Sequence, residues 1–190
     1  MTTIMQNGTQ ATLATSSAIP TATPVKAAGQ STEISLPVLK IGVAGEAVRF
    51  LQQRLISFGY RIVFNGQFGP QIYEAVIDFQ RSLGLKTDGL VGYNTWLALC
   101  EDENPYFGRF FRYPLKTTKY PYDIHMPELQ EGHYGSAIEC LQLRLYANGF
   151  STFVDGDFGS STRFDVVRFQ RREGLAVDGI VGRWTWRKLG

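Results

Sequence analysis

The feature that most constrains this chain is an internal duplication. Residues 37–99 align with residues 127–189 at a constant offset of 90 residues and without an insertion. Both copies contain the sequence Leu-Gln-x-Arg-Leu, which begins at Leu51 and at Leu141, and both carry Thr-Trp near their ends. Chance does not repeat such motifs at one constant offset over 63 residues without an insertion. The chain therefore contains two copies of one small domain.

The apolar spacing inside each copy predicts three short helices. Val48, Leu51 and Leu55 lie at the spacing of one helical face, and a second such stripe begins at Ile72. A third short segment carries Trp96, whose large ring we expect to fill the core of a domain this small.

We therefore predict an all-α protein in which an extended N-terminal arm precedes two tandem three-helix modules. The predicted segments are the arm at 1–36, module 1 at 37–99, an aromatic connector at 100–126 and module 2 at 127–190. The arm is rich in Thr, Ala, Ser and Gln and lacks the basic start and compact apolar stretch of a secretory signal. Its composition is compatible with disorder or with ordering against a partner.

The connector alternates Phe and Tyr with Arg and Lys, which is unusual for a flexible linker. Exposed aromatic rings are unfavourable in water, so we expect this segment to pack and to fix the modules relative to each other. Such a pattern can also stack on single-stranded nucleic acid. The formal net charge of +2 disfavours a nucleic-acid partner, and no apolar run reaches the length of a membrane span.

No catalytic or metal-binding pattern stands out. The two histidines, His125 and His133, lack the His-Glu-x-x-His spacing of a zinc hydrolase. Cys140 falls on the first helix of module 2, where a small apolar residue suffices, and a disulfide with Cys100 stays open. We therefore expect no enzyme, no metal and no cofactor.

The shared residues resemble those of a known family. Gly-x-x-Val-x-x-Leu-Gln-x-x-Leu, Asp-Gly-x-Phe-Gly and Phe-Gln-x-x-x-Gly-Leu-x-x-Asp-Gly-x-Val-Gly-x-x-Thr-Trp are similar to the pattern of the peptidoglycan-binding domain. Module 1 departs from it at Asn65, where Asp is expected, and at Ile72, where module 2 has the expected Thr162. The resemblance implies a three-helix fold, peptidoglycan binding through a shallow groove and a location in the cell envelope or facing the periplasm.

A glycan-peptide ligand needs an aromatic platform and hydrogen-bonding groups. The start of the third helix offers these in both copies, together with an aspartate on the preceding turn. The candidate ligand-binding residues are Asp88, Tyr93, Asn94, Asp178, Arg183 and Trp184. The alternative is that the aspartates only make turns and that Trp184 packs on a surface.

A second candidate surface lies on a flank of the second helix, away from the centre of its core stripe. Its apolar residues are Tyr73 and Ile77 in module 1 and Phe164 and Val167 in module 2. They predict either a protein-docking surface, for a partner or for a second copy of the chain, or packing on the connector.

These patterns support three functions. The leading one is a non-catalytic adaptor that binds peptidoglycan with two tethered modules and gains avidity from the pair. The alternative is a structural subunit of an envelope-associated or phage-tail-like assembly that uses the modules for protein contacts. A third is the targeting subunit of a separate hydrolase.

Overall fold

The computed structural model describes residues 31–101 and 124–190. The predictions for the rest of the arm and for most of the aromatic connector lie outside these residues. Six helices form the described part of the chain, and the prediction of two three-helix modules is confirmed. The helices are α1 (Glu46–Ser57), α2 (Pro70–Ser82), α3 (Tyr93–Cys100), α4 (Ser136–Ala147), α5 (Ser160–Glu173) and α6 (Arg183–Leu189). Two short strands are β1 (Thr32–Glu33) and β2 (His133–Tyr134).

Local sequence sets the helix ends. Helix α2 begins at Pro70, because proline lacks the amide hydrogen that a first helical residue leaves unpaired. Helix α5 ends at Glu173 and is followed by Gly174, whose φ of 68° is left-handed and costs glycine little. None of the helices in the described part of the chain is long and apolar enough to cross a bilayer.

Each module closes its core around one tryptophan. Trp96 and Trp186 are each 1% exposed, as the sequence predicted. The indole N–H of Trp96 donates to the Pro37 carbonyl at 2.8 Å, and that of Trp186 donates to the Pro127 carbonyl at 2.7 Å. Each indole thus buries its ring and still pairs its polar group, so it anchors the segment that leads into its module.

Buried glutamines hold the turns that precede the third helices. The Gln80 amide donates to the Leu90 carbonyl at 2.9 Å and accepts the Gly89 N–H at 2.9 Å. Gln170 repeats both contacts in module 2. The glutamine shared by both Phe-Gln-Arg sequences is therefore structural, because it pairs backbone groups that would otherwise be buried without a partner.

The two modules exchange the segments that precede them. The Ile34 N–H, ahead of module 1, donates to the Tyr134 carbonyl of module 2 at 2.7 Å, next to the parallel pairing of β1 with β2. The equivalent Ile124 N–H, ahead of module 2, donates to the Ala44 carbonyl of module 1 at 2.9 Å. The junction therefore has approximate twofold symmetry at the offset of the duplication.

Two buried arginines cross this junction. The Arg54 guanidinium donates through Nε to the Leu99 carbonyl at 2.9 Å and through Nη1 to the Gly190 carbonyl of module 2 at 2.8 Å. Arg144 repeats this with the Leu189 carbonyl and the Cys100 carbonyl of module 1. Each cation thus binds the negative C-terminal ends of both α3 and α6. Both arginines are almost fully buried, which is rare for an arginine unless its guanidinium is paired.

A disulfide and an aromatic cluster complete the junction. Cys100 at the end of α3 is bonded to Cys140 of α4, with their Cα atoms 5.4 Å apart. Phe50, the residue equivalent to Cys140, packs between Trp96 and Trp186 at ring distances of 5.9 and 5.5 Å. At one of the two symmetry-related positions, Cys140 joins the modules through a disulfide. At the other, Phe50 joins them through packing of aromatic rings.

Candidate functional site

The start of α3 lies against the other module. Tyr93 is 53% exposed, and its hydroxyl donates to Glu139 Oε2 of α4 at 3.0 Å. This hydrogen bond, with the negative charge of Glu139, raises the pKa of Tyr93. Asn94 follows it on the exposed side of the helix. One edge of the junction therefore presents a phenol, an amide and a carboxylate.

The equivalent position in module 2 makes a different contact across the same junction. Arg183, at the start of α6, forms an ion pair with Glu46 Oε1 of α1 at 3.4 Å. Glu46 Oε2 also lies 3.3 Å from Nδ1 of His125. Both predicted positions thus reach the first turn of the other module's first helix, and each site includes residues from both modules.

Trp184 provides the exposed aromatic surface at the second edge. The ring is 49% exposed, and the guanidinium carbons of Arg183 and Arg187 lie 5.7 and 5.6 Å from it. Two cations beside a half-exposed indole form a platform that can stack on a sugar ring while its donors pair with oxygen atoms.

The two predicted aspartates act within their own turns. Oδ1 of Asp88 accepts the Leu90 N–H at 2.9 Å, and Oδ1 of Asp178 accepts the Ile180 N–H at 2.9 Å. These backbone hydrogen bonds are the main reason that the pKa of each carboxyl is lowered. The contacts fit the turn interpretation that the sequence left open, and the ligand role of both residues stays a prediction.

Sequence comparison of the two copies missed Glu46 and Glu139. They are not equivalent, since Glu46 aligns with Ser136 and Glu139 aligns with Arg49. Each enters a site only because the modules pack face to face. Within residues 31–101 and 124–190, no three His, Cys, Asp or Glu side chains are grouped as a metal would require.

The four predicted partner-facing residues differ in exposure. Tyr73 is half-buried, and its ring lies where a Cβ at Gly89 would be. Ile77 and its equivalent Val167 are half-buried, whereas Phe164 is 62% exposed beside the Arg168 guanidinium at 5.5 Å. A docking role for these residues stays a prediction.

Replacing Gly89 by alanine is expected to destabilise module 1 more than replacing Gly84. Both glycines have left-handed φ values, 69° and 65°, which cost alanine about 1–2 kcal/mol. A Cβ at Gly89 would also overlap the Tyr73 ring, whereas nothing lies within 4 Å of a Cβ at Gly84. This overlap is expected to add about 1–3 kcal/mol in urea unfolding curves. Equal losses for the two variants would show that the Tyr73 ring moves aside freely.

The fold and the junction define a class of protein, a tandem pair of three-helix modules with half-exposed aromatic and polar groups at the start of each third helix. The family model described as "Putative peptidoglycan binding domain" matches residues 44–99 and 134–189, which together are more than half of the chain. The chain belongs to this family of cell-wall domains, and the resemblance seen in its sequence motifs is confirmed.

Its relatives include enzymes of the bacterial cell wall. A probable N-acetylmuramoyl-L-alanine amidase of Bacillus licheniformis is 31% identical over 84% of this chain and 46% of the relative. The N-acetylmuramoyl-L-alanine amidase CwlM of Mycobacterium tuberculosis is 37% identical over 64% of this chain and 27% of the relative. The chain thus spans less than half the length of these relatives. A solved peptidoglycan-binding protein of Clostridioides difficile, in complex with glutamine hydroxamate, is 39% identical over 34% of this chain and 40% of that chain, with a TM-score of 0.33.

These relatives correct one expectation. The sequence motifs led us to expect a non-catalytic protein, with the targeting subunit of a separate hydrolase as the third possibility. The relatives matched over most of this chain are instead named as amidases, which points to a hydrolase family. The relationship to these relatives is carried by framework residues of the modules and not by residues that could form a catalytic site.

Proposed function

We propose that the chain binds peptidoglycan as one two-module unit and serves amidase-type hydrolysis of the wall. The observation that carries the proposal is the presence of two modules of one peptidoglycan-binding family, locked together at a single junction. The amidase relatives supply the reaction class.

The fixed junction matters because peptidoglycan repeats. A first contact raises the local concentration of the second module near the polymer, so two weak sites together bind far more tightly than one. The disulfide, the two buried arginines and the exchanged segments that precede the modules fix the distance between the two sites. The linkage is therefore rigid, which removes the entropy that a flexible linker would lose on binding.

The two sites offer different chemistry at equivalent positions. In module 1, Tyr93 and Asn94 present neutral donors and acceptors, which suit sugar hydroxyls and peptide amides. In module 2, Arg183 and Trp184 present cationic donors beside a ring, which suit a sugar face next to a carboxylate. We propose that the modules contact different parts of one glycan-peptide strand.

Binding to purified sacculi tests this proposal. The protein is expected to sediment with the sacculi, and Trp184→Ala is expected to weaken retention about tenfold, the factor given by about 1.4 kcal/mol of lost contact free energy. Tyr93→Ala is expected to act in the same direction, and the double variant more strongly than either. Tyr146→Ala is the matched control, since Tyr146 is an exposed aromatic residue on the outer surface of α4 and should leave retention unchanged.

Absence of retention of the wild-type protein would contradict the proposal and favour the alternative of a structural subunit. Retention that survives the double variant would contradict the choice of site alone.

The disulfide also supports a location. Disulfides persist in oxidising compartments and are rare in reducing ones. A buried Cys100–Cys140 bond, together with cell-wall relatives, supports placing the protein in the cell envelope.

A further inference from the structure

Helices α2 and α5 occupy equivalent places in the two modules and take no part in the junction contacts described above. Their outward faces have nevertheless diverged in charge. Helix α2 carries Glu74 and Asp78 on this face, and the equivalent positions in α5 are Phe164 and Arg168. The shared fold does not require this difference in charge, because these positions lie outside the core of each module.

The outward face of α2, termed the acidic face, consists of Glu74, Ile77, Asp78 and Arg81, so it carries two carboxylates and one guanidinium. Glu74 is exposed and makes no side-chain hydrogen bond or ion pair with any described residue. Asp78 accepts the Tyr60 hydroxyl at 3.2 Å and lies 3.7 Å from Arg81, the residue equivalent to Arg171 of α5, so Glu74 is the unpaired charge of this face. Ile77 is half-buried next to them. The face therefore offers an available carboxylate beside a half-buried isoleucine.

The outward face of α5, termed the basic face, consists of Phe164, Arg168 and Arg171. Phe164 exposes 62% of its surface, which is unfavourable in water unless it is covered. Arg168 lies over its ring and 3.5 Å from Asp165. Arg171 is exposed and has no side-chain partner among the described residues. The face therefore offers an available guanidinium beside an exposed ring.

We infer that the acidic face of one copy of this chain binds the basic face of another copy. Helical spacing places Glu74 and Asp78 four residues apart and Arg168 and Arg171 three apart, so each pair lies on one face of its helix. The opposite charges select the orientation, while Ile77 and Phe164 bury apolar surface against each other. The contact joins two different surfaces, so each bound copy keeps one face free and the association continues into chains of copies. The inference does not rest on peptidoglycan binding.

Sedimentation equilibrium at low ionic strength tests this inference with three proteins. The wild-type protein is expected to reach an average mass above twice the 21.3 kDa of one chain as concentration rises, and to return to one chain in high salt. Glu74→Arg should be monomeric, because its acidic face is lost. The double variant Phe164→Ala with Arg171→Ala should also be monomeric, because its basic face is lost.

An equimolar mixture of the two variants is the decisive measurement. The Glu74→Arg variant retains the basic face and the double variant retains the acidic face. The mixture should therefore form a dimer and nothing larger. Asp157→Arg changes charge by the same amount as Glu74→Arg at an exposed position outside both faces, and should assemble like the wild type. Unchanged melting temperatures establish that the variants fold.

Three results would overturn the inference: a wild-type mass of one chain at every concentration, assembly by either variant alone, or a variant mixture that stays monomeric. Sacculus retention is measured independently, so these outcomes leave the proposed function untouched.

Discussion

Trp186→Ala is expected to lower the free energy of unfolding by about 3–5 kcal/mol, the range found when a large buried aromatic side chain is removed. The ring is 1% exposed, packs against Phe50 of the other module, and donates its N–H to the Pro127 carbonyl. The substitution therefore opens a cavity in module 2, removes an aromatic contact at the junction and leaves a carbonyl without its donor. Urea unfolding followed by circular dichroism measures the loss.

Helix α6 supplies the control for this experiment. Trp184 lies two residues away from Trp186 and is 49% exposed. Trp184→Ala is expected to cost less than about 1 kcal/mol, because half of the Trp184 surface already faces water and its removal opens no cavity in the core. Comparable losses for the two tryptophans would show that Trp186 does not hold the core as described.

Loss of the Cys100–Cys140 disulfide is expected to lower the free energy of unfolding by about 4 kcal/mol, the chain-entropy value for a loop of this length. The bond spans 40 residues of sequence and joins α3 of module 1 to α4 of module 2. Without it, the unfolded chain gains conformations, and only non-covalent contacts hold the junction. Denaturant unfolding of the Cys100→Ala, Cys140→Ala variant measures this effect.

The reduced wild-type protein is the matched control, since its thiols keep the volume that alanine removes. Reductant should destabilise the wild type by a similar amount and leave the variant unaffected. A wild-type unfolding curve that does not respond to reductant would contradict a stabilising disulfide.

The fold was predictable from sequence because it depends on residues that the two copies share. Apolar periodicity, the turn glycines and Trp96 with Trp186 each report a local requirement that both modules must meet. Their repetition at one offset removes the ambiguity that a single short helical pattern would leave. The relationship to the peptidoglycan-binding family was predictable for the same reason.

The junction was not predictable, because it depends on where the copies differ and on how they pack. Phe50 aligns with Cys140, and Cys100 aligns with Gly190, so no repeated motif marks the contact. Arg54 is repeated, but spacing along one helix cannot show that its guanidinium reaches the ends of two others. Glu46 and Glu139 were missing from the predicted site for the same reason, because only the packing of the modules brings them to it.

The exchange of lead segments has a mechanical consequence. A pull on the chain at residue 31 acts first on β1 and the Ile34–Tyr134 hydrogen bond, so its load falls on module 2. A pull at residue 124 acts on the Ile124–Ala44 hydrogen bond, so its load falls on module 1. Tension on the segment that precedes either module is therefore transmitted across the junction to the other module. If both modules bind one polymer as proposed, tension on the chain would therefore load the two modules together.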